Sequence, residues 1–140
     1  MKAQMAILFS ILLFFSCAED PACIDNKIGE EISIQVFDTA AYCSENLSIT
    51  FNAYPNDSRC PSDVTCIWAG FVEVELLINQ KGKESMLKLS TEPNVSGLPV
   101  QNKVGDYSIK LIDVTPYPAT NVRIDPNQFR VVLLVEKASS

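Results

Sequence analysis

Residues 64–80 read VTCIWAGFVEVELLINQ and carry the longest alternation of apolar and polar side chains in the chain. The apolar set is Val64, Cys66, Trp68, Val72, Val74, Leu76 and Ile78, and the polar set includes Thr65, Glu73, Glu75 and Asn79. Strict alternation with a period of two is typical of a β-strand with one buried face. We therefore predict a central strand that places Cys66 and the sole tryptophan, Trp68, in the core.

Shorter runs of the same kind lie on both sides, near residues 32–36, 47–53, 87–89, 107–114 and 129–135. In the run 107–114 the phase slips, because Ile112 and Val114 are apolar around Asp113, and this predicts a β-bulge near Ile112. Residues 80–83 (QKGK) predict a hairpin turn. Six or seven short strands predict an all-β fold, an antiparallel immunoglobulin-like β-sandwich. A small closed β-barrel is the alternative.

The first residues have the composition of an export signal. Lys2 is followed by the apolar run MAILFSILLFF at 5–15, which ends close to Cys17. A membrane-spanning helix needs about 20 apolar residues, so this run is too short, and its build is that of a cleaved signal peptide. The cysteine after the run resembles the lipobox read by lipoprotein signal peptidase, which implies lipidation of Cys17. Ordinary cleavage after Ala18 is the alternative.

Cleavage before Cys17 predicts three parts: a signal peptide at 1–16, a lipidated acidic tether at 17–30 and one β-sandwich domain at 31–140. About 124 residues remain, enough for one domain that buries roughly two-thirds of its unfolded surface. The acidic residues of the tether are interpreted as a solvated linker. The alternative is an acidic tag of the kind that directs some lipoproteins to the cell surface.

Charge and compartment limit the partners. The formal net charge is −6 without a basic stripe, which argues against nucleic-acid binding, because neutralising phosphates takes clustered Lys and Arg. We expect the protein in the bacterial cell envelope, held to a membrane by the N-terminal lipid. The outer membrane is the expected site, at its periplasmic or surface face. The partner would be an unknown protein or glycan.

Four cysteines remain after Cys17. In an oxidising compartment an even set of thiols in a small domain predicts two disulfides. Cys60 and Cys66 are separated by a short loop that can turn back on itself, so we pair them, which leaves Cys23 with Cys43. A thiol metal site is the alternative, but no metal or other cofactor is expected.

Residues 57–70 (DSRCPSDVTCIWAG) are rich in turn-forming residues. Arg59 can close the turn with its fork of donors onto Asp57 or Asp63. Gly70, inside the predicted strand, indicates a bulge or close packing. We interpret the segment as a stapled loop with Trp68 and Gly70 in structural roles, and as a recognition surface in the alternative.

The same string, followed by VEVELLI, resembles a signature of small exported bacterial lipoproteins of unknown function: Asp-x-Arg-Cys-Pro, a second cysteine six residues on, and Trp-x-Gly. Their later pattern of strand, Pro-x-Pro turn and last strand is similar to residues 108–135 here. The resemblance spans residues 32–136 and implies a β-domain with a Cys60–Cys66 bridge, but no reaction.

The residues offer little for catalysis. The chain has no histidine, so Ser-His-Asp and Cys-His sites are impossible. Glu73 and Glu75 are expected on the solvated face of a strand. We therefore expect no enzymatic activity and favour a membrane-tethered binding or assembly module. The alternatives are a protease inhibitor that uses the Cys60–Cys66 loop, favoured by an exposed Arg59, and an enzyme that works without histidine.

The strand order also predicts which end of the domain faces the membrane. The turn with Cys43 and the hairpin at Lys81 should share the end near the membrane, and the stapled loop should lie at the other end. We therefore expect partner contacts on Tyr54, Asn56, Ser58 and Arg59.

Overall fold

The computed structural model describes Cys23 and residues 25–139. The described residues form nine strands and one short helix. These are β1 (Glu31–Gln35), β2 (Thr39–Tyr42), β3 (Leu47–Phe51), β4 (Asn56–Asp57), β5 (Val72–Gln80), β6 (Lys83–Ser90), α1 (Pro93–Ser96), β7 (Gln101–Val104), β8 (Tyr107–Thr115) and β9 (Arg130–Lys137). Two single 3-10 turns, Cys43–Glu45 and Pro126–Gln128, complete the regular structure.

Two antiparallel sheets pack on each other. One has the order β1-β9-β8-β7; in the other, β2 pairs with β3, and β5 pairs with β3, β4 and β6. Leu76 of β5 lies between Phe51 of β3 and Leu87 of β6, whereas Glu73 lies between Asn56 of β4 and Ser90 of β6. Strands β3 and β4 therefore share one side of β5. The predicted all-β sandwich is confirmed, with nine strands in place of six or seven.

The core confirms the period of two. Along β5 every second side chain is buried, from Val72 to Ile78, and those between are half-buried. The same alternation in β9 buries Val131, Leu133 and Val135 completely. These faces meet between the sheets, and burial of their apolar surface is the main driving force of the fold.

The predicted irregularities are present. The register of β8 against β9 shifts between Leu111 and Asp113, so Ile112 is turned outward while Val114 is fully buried. The Lys81-Gly82 turn joins β5 to β6, with φ of 51° and 80° at its two residues. Positive φ at both central residues matches the right-handed twist of a hairpin.

The predicted start of the central strand is wrong. β5 begins at Val72, and residues 64–68 belong to a loop in which Trp68 is 79% exposed. Gly70 has a φ of 70°, which breaks the extended conformation that alternation requires. A Cβ at this position would overlap the carbonyl oxygen of Ser58, so Gly70 does provide the predicted close packing. Cys66 is exposed as well, so neither side chain lies in the core as predicted, and Trp68 does not have the structural role that we predicted for it.

The sandwich has two distinct ends. Both predicted disulfides, Cys60–Cys66 and Cys23–Cys43, are formed. We call the end with the Cys43 turn and the Lys81-Gly82 hairpin the anchor end, and the backbone N–H of Lys81 donates to Asn46 there at 2.8 Å. The opposite, distal end consists of the connecting segments 36–38, 52–71, 91–100 and 116–129, which we call the distal loops; the second contains the short strand β4 and the third contains α1. The predicted placement of the Cys43 turn beside the hairpin, opposite the stapled loop, is confirmed.

The segment before β1 lies partly against the domain. Asp25 forms a β-bridge with Ala41, and the N–H of Gly29 donates to the carbonyl of Val135 at 2.8 Å. Part of the predicted tether 17–30 is thus fixed at the anchor end. The predicted signal peptide and Cys17 lie outside the described residues. No helix in the described part of the chain is long and apolar enough to cross a membrane.

Candidate functional site

In the structure the stapled loop comprises residues 58–71 at the distal end. Backbone hydrogen bonds join its two ends. The N–H of Ser58 donates to the Phe71 carbonyl, and that of Cys60 donates to the Ala69 carbonyl, each at 2.9 Å. The disulfide between Cys60 and Cys66 closes the outer part of the loop. Its two arms are therefore held together before any partner is present.

Arg59 fixes the loop to both sheets. Its Nε and Nη2 donate to Asp57 Oδ1 at 2.9 Å and Oδ2 at 2.6 Å. Its Nη1 donates to the carbonyl of Val114 at 2.5 Å and its Nη2 to that of Pro116 at 3.0 Å. The guanidinium carbon also lies 4.5 Å from the centroid of the Tyr117 ring.

These contacts correct one of the four predicted contact residues. The Arg59 side chain is only 5% exposed, so a partner cannot reach it in this conformation. A buried guanidinium needs a charged partner and acceptors for its donors, and Asp57 and the two carbonyls supply them. Arg59 therefore supports the site from beneath and does not form its surface.

A second attachment holds the outer turn of the loop. Asp63 accepts hydrogen bonds from the Thr120 hydroxyl and, at 2.9 Å, from the Thr120 N–H. The N–H of Ser62 donates to the Pro118 carbonyl at 2.9 Å. The hydrogen bonds from Thr120 lower the pKa of the Asp63 carboxyl, so the carboxylate that makes them persists to more acidic pH.

The tip of this braced loop is apolar and open to solvent. Ile67 is 95% exposed, Trp68 is 79% exposed, and Val64 of the same loop is 46% exposed. The described residues contain ten exposed large hydrophobic side chains, and eight of them lie in loops of the distal end. The five outside the stapled loop are Phe37, Tyr54, Val95, Tyr117 and Val122.

A groove runs beside Trp68. It has a volume of about 350 Å³ and is lined by Ser58, Trp68, Ala69, Gly70, Phe71, Glu92 and Val95. Most of this lining is apolar, and Glu92 is its only charged residue. The groove thus joins the stapled loop to the segment of α1.

The other predicted contact residues are exposed at this end. The hydroxyl of Tyr54 donates to Asn127 Oδ1 at 2.9 Å, and its ring meets that of Phe37 edge-on, with centroids 4.9 Å apart. Asn56 donates to Glu73 Oε2 at 3.1 Å, and Ser58 lines the groove. Tyr54, Asn56 and Ser58 are therefore accessible, as predicted, although each is also engaged within the domain.

Ile67, Trp68 and Val95 were missed by the sequence analysis. Ile67 falls on the polar side of the alternation, and Trp68 falls on its apolar side. Two features of the sequence argue against a continuous strand here. Cys60 and Cys66 are only six residues apart, so a disulfide between them needs a turn, and a glycine follows Ala69.

The carboxylates of β5 are bound to neighbouring side chains. Glu75 accepts from Asn52 at 3.2 Å and pairs with Lys88 at 3.2 Å. These contacts lower the pKa of Glu75, the larger effect coming from Lys88. Within the described residues no group of three or more His, Cys, Asp or Glu side chains is placed to hold a metal ion. The geometry offers apolar contact area and hydrogen-bonding groups, which suits binding.

No protein-family model, curated protein or solved structure matches this chain.

Proposed function

We propose that this protein is an exported bacterial lipoprotein, anchored through Cys17, whose β-sandwich is a non-enzymatic binding or assembly module. Its recognition surface is the tip of the stapled loop with the apolar side chains around it. The observation that carries the proposal is the clustering of eight of ten exposed large hydrophobic side chains at one end. Contiguous exposed apolar surface marks interaction sites.

The rigidity of the stapled loop also favours a binding module. Residues of a free loop lose conformational entropy when they bind, and pre-organisation removes that cost. The disulfide, the Arg59 contacts and the Asp63–Thr120 hydrogen bonds hold the loop in place in the unbound protein. Exposed tryptophan is among the residues that contribute most to binding at protein interfaces.

The position of the surface suits a tethered protein. The six residue steps from Cys17 to Cys23 span at most about 20 Å, and Cys23 is bonded to Cys43 at the anchor end. The nine residues of β5 add about 30 Å between the two ends. The anchor end is thereby kept near the membrane, and Ile67 and Trp68 point away from it.

The alternative function is a protease inhibitor that uses the Cys60–Cys66 loop. An exposed Arg59 would have favoured it, but Arg59 is folded onto Asp57. The binding module is therefore preferred.

Photo-crosslinking in the cells that make the protein tests the proposal. A photoreactive amino acid at position 67 should give discrete adducts, and the same amino acid at position 86, where Met86 is exposed on β6, should give none. Adducts from position 86 alone, or from neither position, would contradict the proposed surface. Fractionation of Cys17→Ala tests the anchor separately: the variant should leave the membrane fraction or accumulate unprocessed.

A further inference from the structure

We infer that the groove beside Trp68 receives a cationic side chain, arginine or lysine, from an apolar segment of a partner protein. This inference rests on the proposed function and names the chemistry of the partner. It starts from the charge of Glu92, which lies at a groove that is otherwise uncharged and mostly apolar.

Glu92 differs from three other carboxylates of the distal loops, which have partners. The fifth, Asp38, has no side-chain partner among the described residues either, but it does not line this groove. Asp57 is paired with Arg59, Asp63 is bonded to Thr120, and Asp125 accepts from Asn127. Among the ion pairs of the described residues none includes Glu92, and its carboxylate accepts none of their hydrogen bonds. Its charge is therefore available to a ligand.

The walls of the groove fit a long side chain with a charged end. Trp68 is 79% exposed, and it lines the groove together with Val95. The face of an indole attracts a cation electrostatically, and arginine is the commonest such partner. The methylene stem of arginine or lysine covers apolar surface while its head remains polar. Glu92 then supplies the opposite charge.

The charge of the surface around the groove favours a protein segment over a membrane as its occupant. The four distal loops contain five carboxylates, two arginines and no lysine, and one of the arginines is the buried Arg59. An acidic surface is repelled by anionic lipid, whereas amphipathic segments that bind such membranes are rich in Lys and Arg. A basic and apolar protein segment is complementary to this surface in both respects.

The test uses the membrane-extracted protein in detergent and short capped peptides, acetyl-Gly-Leu-Xaa-Leu-Gly-amide, with Xaa as arginine, lysine, citrulline or glutamate. Citrulline has nearly the shape of arginine without its charge. Because Trp68 is the sole tryptophan, its emission and its indole N–H resonance report on the groove alone. The arginine and lysine peptides should shift both signals, and citrulline should bind roughly threefold to tenfold more weakly.

Two matched variants locate the charge. Glu92→Gln should lower the affinity for the arginine peptide toward that of the citrulline peptide, and the attraction of the cation to the Trp68 ring accounts for the part that remains. Glu84→Gln, at an exposed glutamate of the anchor end, should leave it unchanged. Equal binding of arginine and citrulline, no effect of Glu92→Gln, or no response of Trp68 to any peptide at millimolar concentration would overturn the inference. So would a stronger response to phosphatidylglycerol vesicles than to the arginine peptide.

These outcomes are separable from the proposed function. Crosslinks from position 67 with no preference for cationic peptides would leave the binding module in place and remove only the cation site. Loss of the crosslinks together with retained cation binding would remove the proposed binding module and leave the cation site in place.

Discussion

Arg59 donates to both carboxylate oxygens of Asp57, and the same guanidinium donates to the Val114 carbonyl on the opposite sheet. Asp57 ends β4 in one sheet, and Val114 belongs to β8 in the other. One side chain therefore joins the two sheets beneath the stapled loop. The exposed tip depends on this buried contact for its position.

Removing the guanidinium should destabilise the domain. Arg59→Ala leaves Asp57 partly buried without its partner and two carbonyls without their donor. We expect the free energy of unfolding to fall by about 3–5 kcal/mol, measured by urea denaturation. Arg123→Ala, at an exposed arginine of the same end, is the control and should change it by less than about 0.5 kcal/mol. Equal effects of the two variants would contradict the role of Arg59.

Trp68→Ala should have almost no effect on stability. The indole is 79% exposed, so little buried area is lost, and the change should stay within about 0.5 kcal/mol. Leu76→Ala, at a fully buried position of β5, should cost about 2–5 kcal/mol in the same assay. The native protein should show tryptophan emission close to that of indole in water, with ready quenching by iodide. Blue-shifted, protected emission would place the ring in the core.

Two glycine variants separate backbone strain from steric overlap. Gly70 and Gly82 both have positive φ, but a Cβ on Gly82 meets nothing within 4 Å, whereas one on Gly70 overlaps the Ser58 carbonyl. Gly82→Ala should cost about 1 kcal/mol of stability, and Gly70→Ala should cost more, about 2–3 kcal/mol. Thermal unfolding of the two variants gives the comparison. A smaller loss for Gly70→Ala would show that the base of the loop can relax.

The hydroxyl of Tyr42 is buried and has no hydrogen-bond partner within the described residues. Its burial raises the pKa of Tyr42 to about 12. Tyr42→Phe removes an unsatisfied polar group and should raise the free energy of unfolding by about 1 kcal/mol. Tyr107→Phe, which removes a hydroxyl that donates to Glu45 at 2.5 Å, should lower it by a similar amount. Destabilisation by Tyr42→Phe would indicate a partner for its hydroxyl.

The Glu45–Tyr107 contact should make stability depend on pH at both extremes. The hydrogen bond from Tyr107 and that from Lys137 lower the pKa of Glu45 from 4.5. The stabilisation is therefore complete above pH 4.5 and is lost as the pH falls through the lowered value. The hydrogen bond to Glu45 raises the pKa of Tyr107 to about 12, so its contribution is complete below pH 10 and is lost toward pH 12. Glu45→Gln should reduce both changes in denaturation curves recorded across pH, while Tyr42, whose pKa is raised by burial, keeps its own contribution toward pH 12.

Local patterns predicted much of the fold. The alternation in residues 72–78 and 129–135 depends only on side chains two positions apart, and so it identified β5 and β9. The bulge at Ile112, the Lys81-Gly82 turn and the Cys60–Cys66 bridge likewise depend on residue type and short spacing. Exposure of Tyr54 and Ser58 followed from their place in a loop, and Asn56 is exposed although it belongs to the two-residue strand β4.

Tertiary structure alone decided the surface of the candidate site. Arg59 is buried by contacts with Val114 and Pro116, 55 and 57 positions away, and no local pattern specifies them. Trp68 continues the alternation of β5, yet the positive φ of Gly70 turns it outward. The groove forms because α1 lies beside the stapled loop. The sequence by itself determined the strands that carry a clear alternation, since that pattern is local, but not the start of β5 or the short strands β2, β4 and β7. Which side chains reach solvent at the distal end was decided by packing between segments far apart in the chain.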